Sequence, residues 1–279
     1  MSKQKIYVIA GTTASGKSDL ALRLAQSING CIINADSIQV YRDIPLLTAR
    51  PLEAEQQGVP HYLYGYLNEH ENCSVTEWLD KAAAVLETVH NPIIVGGTGM
   101  YLKALIEGIN DIPSIDTDIR NQVRIMPIEQ VKDLVHECNA TDPQRLRRAL
   151  EVQLSTGKTL AWFQRQPPIK KIDATFEVIW INRPREEIRR RCRDRFLKML
   201  AMGAIDQVKY LRSLTPTGGV TKAIGYHHIC DHLDGKITRE EMIDLAVIAT
   251  RQYAKRQQTW FKHQLNTPKI ITNPLDYNI

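Results

Sequence analysis

The run Gly11-Thr12-Thr13-Ala14-Ser15-Gly16-Lys17-Ser18 fits the pattern G-x-x-x-x-G-K-[ST]. It follows an apolar stretch and opens a helical pattern, which is the context such a loop requires. The glycines let backbone N–H groups surround phosphate oxygens, and the helix start adds positive potential. Lys17 contributes a charge, and the Ser18 hydroxyl is a ligand for Mg²⁺. The chemistry expected is therefore the holding of a diphosphate or triphosphate. The loop does not specify what group is attached to it.

A nucleoside triphosphatase built on this loop normally has an aspartate at the end of an apolar strand to help hold Mg²⁺ and water. Here Pro92-Ile-Ile-Val runs into Gly96-Gly97-Thr98-Gly99 with no acid, which argues against motor and GTPase chemistry. An acid does follow another apolar run, in Cys31-Ile-Ile-Asn-Ala-Asp36-Ser37-Ile38-Gln39. Strand carboxyl ends line the ligand crevice of parallel sheets, so Asp36 is placed to take a proton from an acceptor molecule. A cap for a following helix or an indirect Mg²⁺ contact is the alternative. Thr98 is in the same position to orient a substrate, or simply ends a tight turn. The eight histidines show no metal spacing, and the five cysteines are scattered without a C-x-x-C pair. Neither a disulfide framework nor a zinc cluster is expected, and a reducing cytoplasm fits.

Net charge is +5 over 279 residues, too little by itself to imply a polyanionic partner. Its distribution is more informative. Residues 183–198 hold eight bases against three acids, 250–263 hold four bases and no acid, and 144–171 hold seven bases against Glu151 alone. Bases interleaved with aromatics such as Trp162, Tyr253 and Trp260 can track phosphates and stack on bases, or form a solvated helix face over a core stripe. No apolar run reaches membrane length, and the five residues before the first apolar run do not introduce a signal peptide.

These groups need a scaffold, and the patterning supplies an α/β one. Five aliphatic runs, 6–10, 31–35, 92–96, 176–182 and 268–272, are the expected strands of a P-loop, doubly wound parallel five-stranded sheet. Helical repeats fall at Ala21/Leu24/Ala25/Ile28, at Leu79/Ala82/Ala83/Leu86 behind a Ser74-x-x-Glu77 capping box, and at Leu102/Leu105/Ile106/Ile109. About 66 residues separate Ile109 from the strand at 176, too many for one crossover, so a short helical insertion over 113–172 interrupts a core made of 1–112 and 173–279. Within the insertion, Asp142-Pro143 opens a helix with the stripe Leu146/Ala149/Leu150/Leu154, and Gly157 ends it. A second stripe, Ile188/Cys192/Phe196/Met199, leaves Arg191 and Arg195 on a shared face.

Taken together, several segments resemble the tRNA dimethylallyltransferase (tRNA isopentenyltransferase) family. They are Gly11 to Ser18, Asp36 to Arg42, Ile94 to Tyr101, Gln144 to Glu151, Ala223 to Tyr226 and Thr250 to Phe261, in the family's order. The resemblance implies transfer of a dimethylallyl group from its diphosphate to N6 of the adenine just 3′ of a tRNA anticodon, with Mg²⁺. It also implies that the residue matching Asp36 is the general base and that Asp36, Ser37, Ile38, Gln39 and Thr98 meet the adenine. Contacts to the tRNA anticodon stem-loop would fall to Arg120, to Gln144, Arg145, Leu146, Arg147 and Arg148, to Lys222, Gly225 and Tyr226, and to Lys255, Arg256, Gln257, Trp260 and Lys262. Arg191 and Arg195 join Lys17 and the loop in binding diphosphate. Residues 119–143 are shorter than the family's insertion, and the usual Gly-Thr-Ala-Lys-Pro is replaced by Leu-Leu-Thr48-Ala49-Arg50-Pro51.

The expectation is a cytoplasmic, monomeric prenyltransferase. Two rivals use the same features. A small-molecule kinase or adenylate prenyltransferase would act on a free metabolite or nucleotide, and a non-catalytic RNA-binding module would bind tRNA whatever stands at position 36.

Overall fold

The computed structural model describes residues 3–278; Met1, Ser2 and Ile279, at the ends of the expected core, lie outside the described residues. The aliphatic runs pair into a parallel sheet. Its strands are β1 (Gln4–Gly11), β2 (Cys31–Asn34), β3 (His61–Tyr62), β4 (Pro92–Gly96), β5 (Ala174–Ile181) and β6 (Lys269–Ile271), in the order β3-β2-β4-β1-β5-β6. The expected sheet of five strands therefore has a sixth, β3, at one edge. Two residues are too few to show periodicity, and β3 is defined only by its pairing with Ile32 and Ile33. β1 is central, with Val8 opposite Ile94 on one side and Val178 on the other. Burial on both faces explains why it carries an unbroken apolar run.

Helix α1 (Lys17–Ile28) packs Leu20, Ala21 and Leu24 against Ile9, Ile93 and Ile179. Helix α4 (Val75–Leu86) begins at the Ser74/Glu77 capping box, with Ser74 Oγ accepting from Glu77 N at 3.1 Å. Helix α5 (Gly99–Glu107) stops short of Ile109, which instead bridges to Ile169, correcting the expected helical repeat there. Two short helices, α2 (Pro45–Thr48) and α3 (Glu53–Gln56), lie between β2 and β3.

The chain divides into two units. One comprises residues 3–106 and 171–278 among those described, and the other is Glu107–Lys170. In the smaller unit, α6 (Thr117–Ile125), α7 (Ile128–Leu134), α8 (Pro143–Thr156) and α9 (Leu160–Gln164) enclose a core of Val123, Val131, Leu146 and Leu150. Asp142 caps α8 as expected, and Gly157 ends it in the left-handed region. Leu154, expected in the stripe, is 45% exposed, and Val152 takes the buried place.

In the larger unit β5 leads into four more helices, α10 (Arg185–Ala201), α11 (Ala204–Ser213), α12 (Tyr226–Leu233) and α13 (Arg239–Gln264). They form a second core, in which Phe196, Met199, Val208, Ile229, Met242 and Ala246 meet Val40, Ile44 and Leu47 from the segment after β2. That core sits beside the carboxyl ends of β1, β2 and β4, where ligand crevices form.

Candidate active site

Between β1 and α1 the chain makes the anticipated loop. Gly16 is at φ 88°, a left-handed conformation that favours glycine, and it caps α1. Three arginines from the segment after β5 clasp this loop. Arg183 Nε donates to Ser15 O at 2.7 Å, Arg191 Nε donates to Ala14 O at 2.7 Å, and Arg195 donates to Thr13 Oγ1 at 3.0 Å and to Thr48 O at 3.2 Å. The C=O and N–H of one peptide point in opposite directions, so an arginine on the Ser15 carbonyl leaves the Gly16 amide facing the other way. Thr12 Oγ1 and Ser15 Oγ are buried without a partner among the described residues, an arrangement that a loop with no ligand role would normally avoid.

Gln257 fastens this loop to the next. Its Oε1 accepts from Thr13 N at 2.8 Å and its Nε2 donates to Gly97 O at 2.8 Å. A side chain at Gly97 would place its Cβ 2.3 Å from that Nε2, so the close approach requires glycine. Beside it, Thr98 Oγ1 accepts from Ser37 N at 2.9 Å and donates to Ser37 Oγ at 3.2 Å. The segment carrying Asp36 is thereby tied to the end of β4.

Asp36 is itself held from both sides. Buried Asn34 accepts from Asp36 N at 2.9 Å and donates to Asp36 O at 3.0 Å, while Asp36 Oδ1 accepts from Ile38 N at 3.0 Å. No helix follows, so Asp36 closes a turn and is not a helix cap. Its charge is felt across the site. Lys17 is pushed down to about 8 by burial, with Asp36 opposing that shift and Arg195 adding to it. Burial raises the phenols of Tyr64 and Tyr253, and Asp36 raises them further.

A cleft of ≈ 360 Å³ joins these groups. Thr13, Lys17 and Arg195 line it together with Asp36 to Gln39, while Leu47, Phe196, Met199, Ala223 and Ile224 give it an apolar wall. Lys222, Tyr253 and Arg256 also line it. One space therefore offers cations, an apolar surface and a carboxylate, which suits a substrate with an anionic leaving group, a hydrocarbon and an acceptor that must lose a proton.

Not every anticipated residue faces this space. Gln257 serves as a strut and Tyr226 is buried in the helical core, so neither side chain is free for a nucleic acid; Gly225 caps α12. Trp260 packs on Gly99, Lys255 lines a separate basic groove with Arg185, Arg189 and Arg251, and Lys262 is exposed. Ser18 is exposed on the first turn of α1, where its hydroxyl lines a neighbouring groove.

In the smaller unit, Arg120, Gln144 and Arg145 are exposed, and Arg148 is half-buried beside Glu151 at 3.6 Å. Leu146 belongs to that unit's core, which corrects its assignment as a contact. Arg147 donates to the carbonyls of Val123 and, at 2.8 Å, Met126, tying α8 to α6. Sequence reasoning missed the grip of Arg183 on the loop and the apolar wall, and it named Thr48 and Tyr253 without placing them in the cleft. Arg183 and Tyr253 stand within runs that it had marked as basic, whereas Phe196 and Met199 had registered only as core.

Residues 39–264 match the sequence model of the IPP transferase family. The chain belongs to that family. Its relatives include the tRNA dimethylallyltransferases of Sphingopyxis alaskensis, 43% identical and covering 92% of this chain and 89% of that one, and of Methylocella silvestris, 44% identical and covering 95% and 93%. Among solved structures, a eukaryotic dimethylallyltransferase acting on tRNA is similar at a TM-score of 0.82 with 27% identity, over 98% of this chain and 75% of that one. The tRNA isopentenylpyrophosphate transferase of Bacillus halodurans is similar at 0.72 with 30% identity, over 97% and 90%. The larger unit holds the P-loop and cleft of this IPP transferase, and its smaller unit lies wholly within the matched span.

Proposed function

We propose that this IPP transferase moves the dimethylallyl group of dimethylallyl diphosphate to N6 of the adenine 3′-adjacent to a tRNA anticodon, releasing diphosphate. The observation that carries the reading is a single cleft lined by Lys17 and Arg195, by an apolar wall and by Asp36.

Breaking the allylic C1–O bond builds negative charge on the diphosphate and carbocation character on the prenyl group. Lys17, the loop amides left free of hydrogen bonds among the described residues, that of Gly16 included, and Arg195 stabilise the leaving side, with Arg191 and Arg183 holding the loop in shape. The adenine amine is a weak nucleophile, and Asp36 accepts its proton as the C1–N6 bond forms. Ser37, Ile38, Gln39 and Thr98 form the edge against which the base rests. An adenine stacked in a loop hides N6, so the base must turn out into the cleft.

Mg²⁺ suits the oxygen donors present. The Ser18 hydroxyl, next to Lys17 at the start of α1 and lining the adjoining groove, would hold this ion together with diphosphate oxygens, the hard donors it takes. When bound, it supplies charge neutralisation to the leaving diphosphate. Arg120, Gln144, Arg145, Arg148, Lys222, Lys255, Arg256 and Lys262 are the proposed contacts to the anticodon stem-loop. One chain carries the whole cleft, so a monomer suffices. No helix among the described residues is long and apolar enough to cross a membrane, and the proposed setting is the cytoplasm.

Asp36→Asn keeps the shape of the carboxylate and loses its proton affinity. Single-turnover transfer to tRNA with saturating dimethylallyl diphosphate is expected to fall by roughly two to four decades, with diphosphate affinity little changed. A wild-type rate in this variant would contradict Asp36 as the base.

A further inference from the structure

The cleft has a neighbour. A groove of ≈ 480 Å³ adjoins α2 and α10, with Pro45, Leu46, Ala49, Leu52 and Met202 along it and a polar rim that includes Ser18, Asp19, Arg50, Glu55 and Lys198. The two spaces share lining residues. From α2 and the residue that caps it, Leu47 and Thr48 line the cleft while Leu46 and Ala49 line the groove; from α10, Arg195 and Met199 line both. Arg195 is fixed by its bonds to Thr13 Oγ1 and Thr48 O, so it closes the polar part of the partition. Met199, 9% exposed, closes the apolar part and is, among the described residues, the only apolar side chain common to both linings.

We propose that Met199 sets the length of the prenyl chain this enzyme accepts, and that the groove behind it is a latent site for the second isoprene unit of a longer allylic diphosphate. This rests on the prenyl-transfer reading. With the diphosphate on Lys17 and Arg195 and C1 directed toward Asp36, the branched end of a dimethylallyl group lies against Leu47, Phe196 and Met199. A ten-carbon chain continues from that end and must pass the partition. A methionine is unbranched and flexible and fills irregular gaps in a core, so shortening it removes the hydrocarbon that separates the two linings. The chemistry does not change. The same C1–O bond breaks, the same N6–C1 bond forms, the proton goes to Asp36 and diphosphate leaves, with no added reactant.

The test is competition between dimethylallyl and geranyl diphosphate for transfer to tRNA, read as the ratio of kcat/KM values. The wild-type enzyme should discriminate strongly against geranyl. Met199→Ala should shift the ratio toward geranyl by about tenfold or more, the scale on which one apolar pocket discriminates chain length, and Met199→Val by less. Met202→Ala, altering a residue 43% exposed that lines only the groove, should leave the ratio unchanged. Calorimetric binding of the two thiolodiphosphates gives the same ranking without turnover.

An unchanged ratio in both folded Met199 variants would overturn the inference. So would equal acceleration of both substrates, which would make Met199 an entry gate, or a wild-type enzyme that already uses geranyl as well as dimethylallyl. If the wild type transferred no dimethylallyl group to tRNA at all, the functional reading itself would fail, and the inference with it.

Discussion

Lys17 combines burial with a required charge. Its pKa falls from 10.5 to about 8, chiefly through burial. Between those values the unfolded chain holds a proton that the folded chain lacks, so fold stability rises as pH increases through 8, while a cationic grip on diphosphate is lost over the same range. Diphosphate affinity of the free enzyme, measured calorimetrically from pH 7 to 9.5, should weaken by about tenfold per unit above pH 8. A flat profile would remove Lys17 from the binding of the leaving group. Lys17→Ala should lower turnover by roughly two to three decades. These residues were legible in the sequence because a P-loop is contiguous. Arg183 and Tyr253 were not, because their roles depend on a fold that returns residue 183 to the loop at 11–18 and residue 253 to the cleft beside Asp36.

At the scale of elements, the site is held by struts that hydrogen-bond across loops. Gln257→Ala leaves Thr13 N and Gly97 O unpaired in a buried place, and should cost about 1–3 kcal/mol in urea unfolding while raising KM for the diphosphate. Wild-type values of both would show that the strut is dispensable. In the smaller unit, Arg147→Ala should destabilise rather than merely weaken RNA binding, since its guanidinium satisfies the carbonyls of Val123 and Met126. Its position off the apolar stripe gave no hint of this, because periodicity reports which face is apolar and not which carbonyls lie uncapped beside it. The same blindness explains β3, defined by pairing alone, and the end of α5 before Ile109. The capping box at Ser74, the cap at Asp142 and the close at Gly157 were readable because local side-chain chemistry fixes them.

For the whole molecule, the question is whether a modest net charge of +5 grips a polyanion through its arrangement. Each lysine or arginine on a phosphate releases counterions, so tRNA affinity should fall steeply between about 50 and 200 mM salt, and Arg145→Ala and Lys255→Ala should each reduce the log–log slope by a little under one. A slope unchanged in both variants would assign these residues to solvated helix surface. The central claim, that prenyl transfer is directed to a tRNA adenine, is tested most directly by mass spectrometry of nucleosides from tRNA incubated with this protein, dimethylallyl diphosphate and Mg²⁺. The expected result is one dimethylallyl group on the adenosine 3′-adjacent to the anticodon, absent with Asp36→Asn; unmodified tRNA alongside prenylation of a free adenine nucleotide in the same mixture would contradict it.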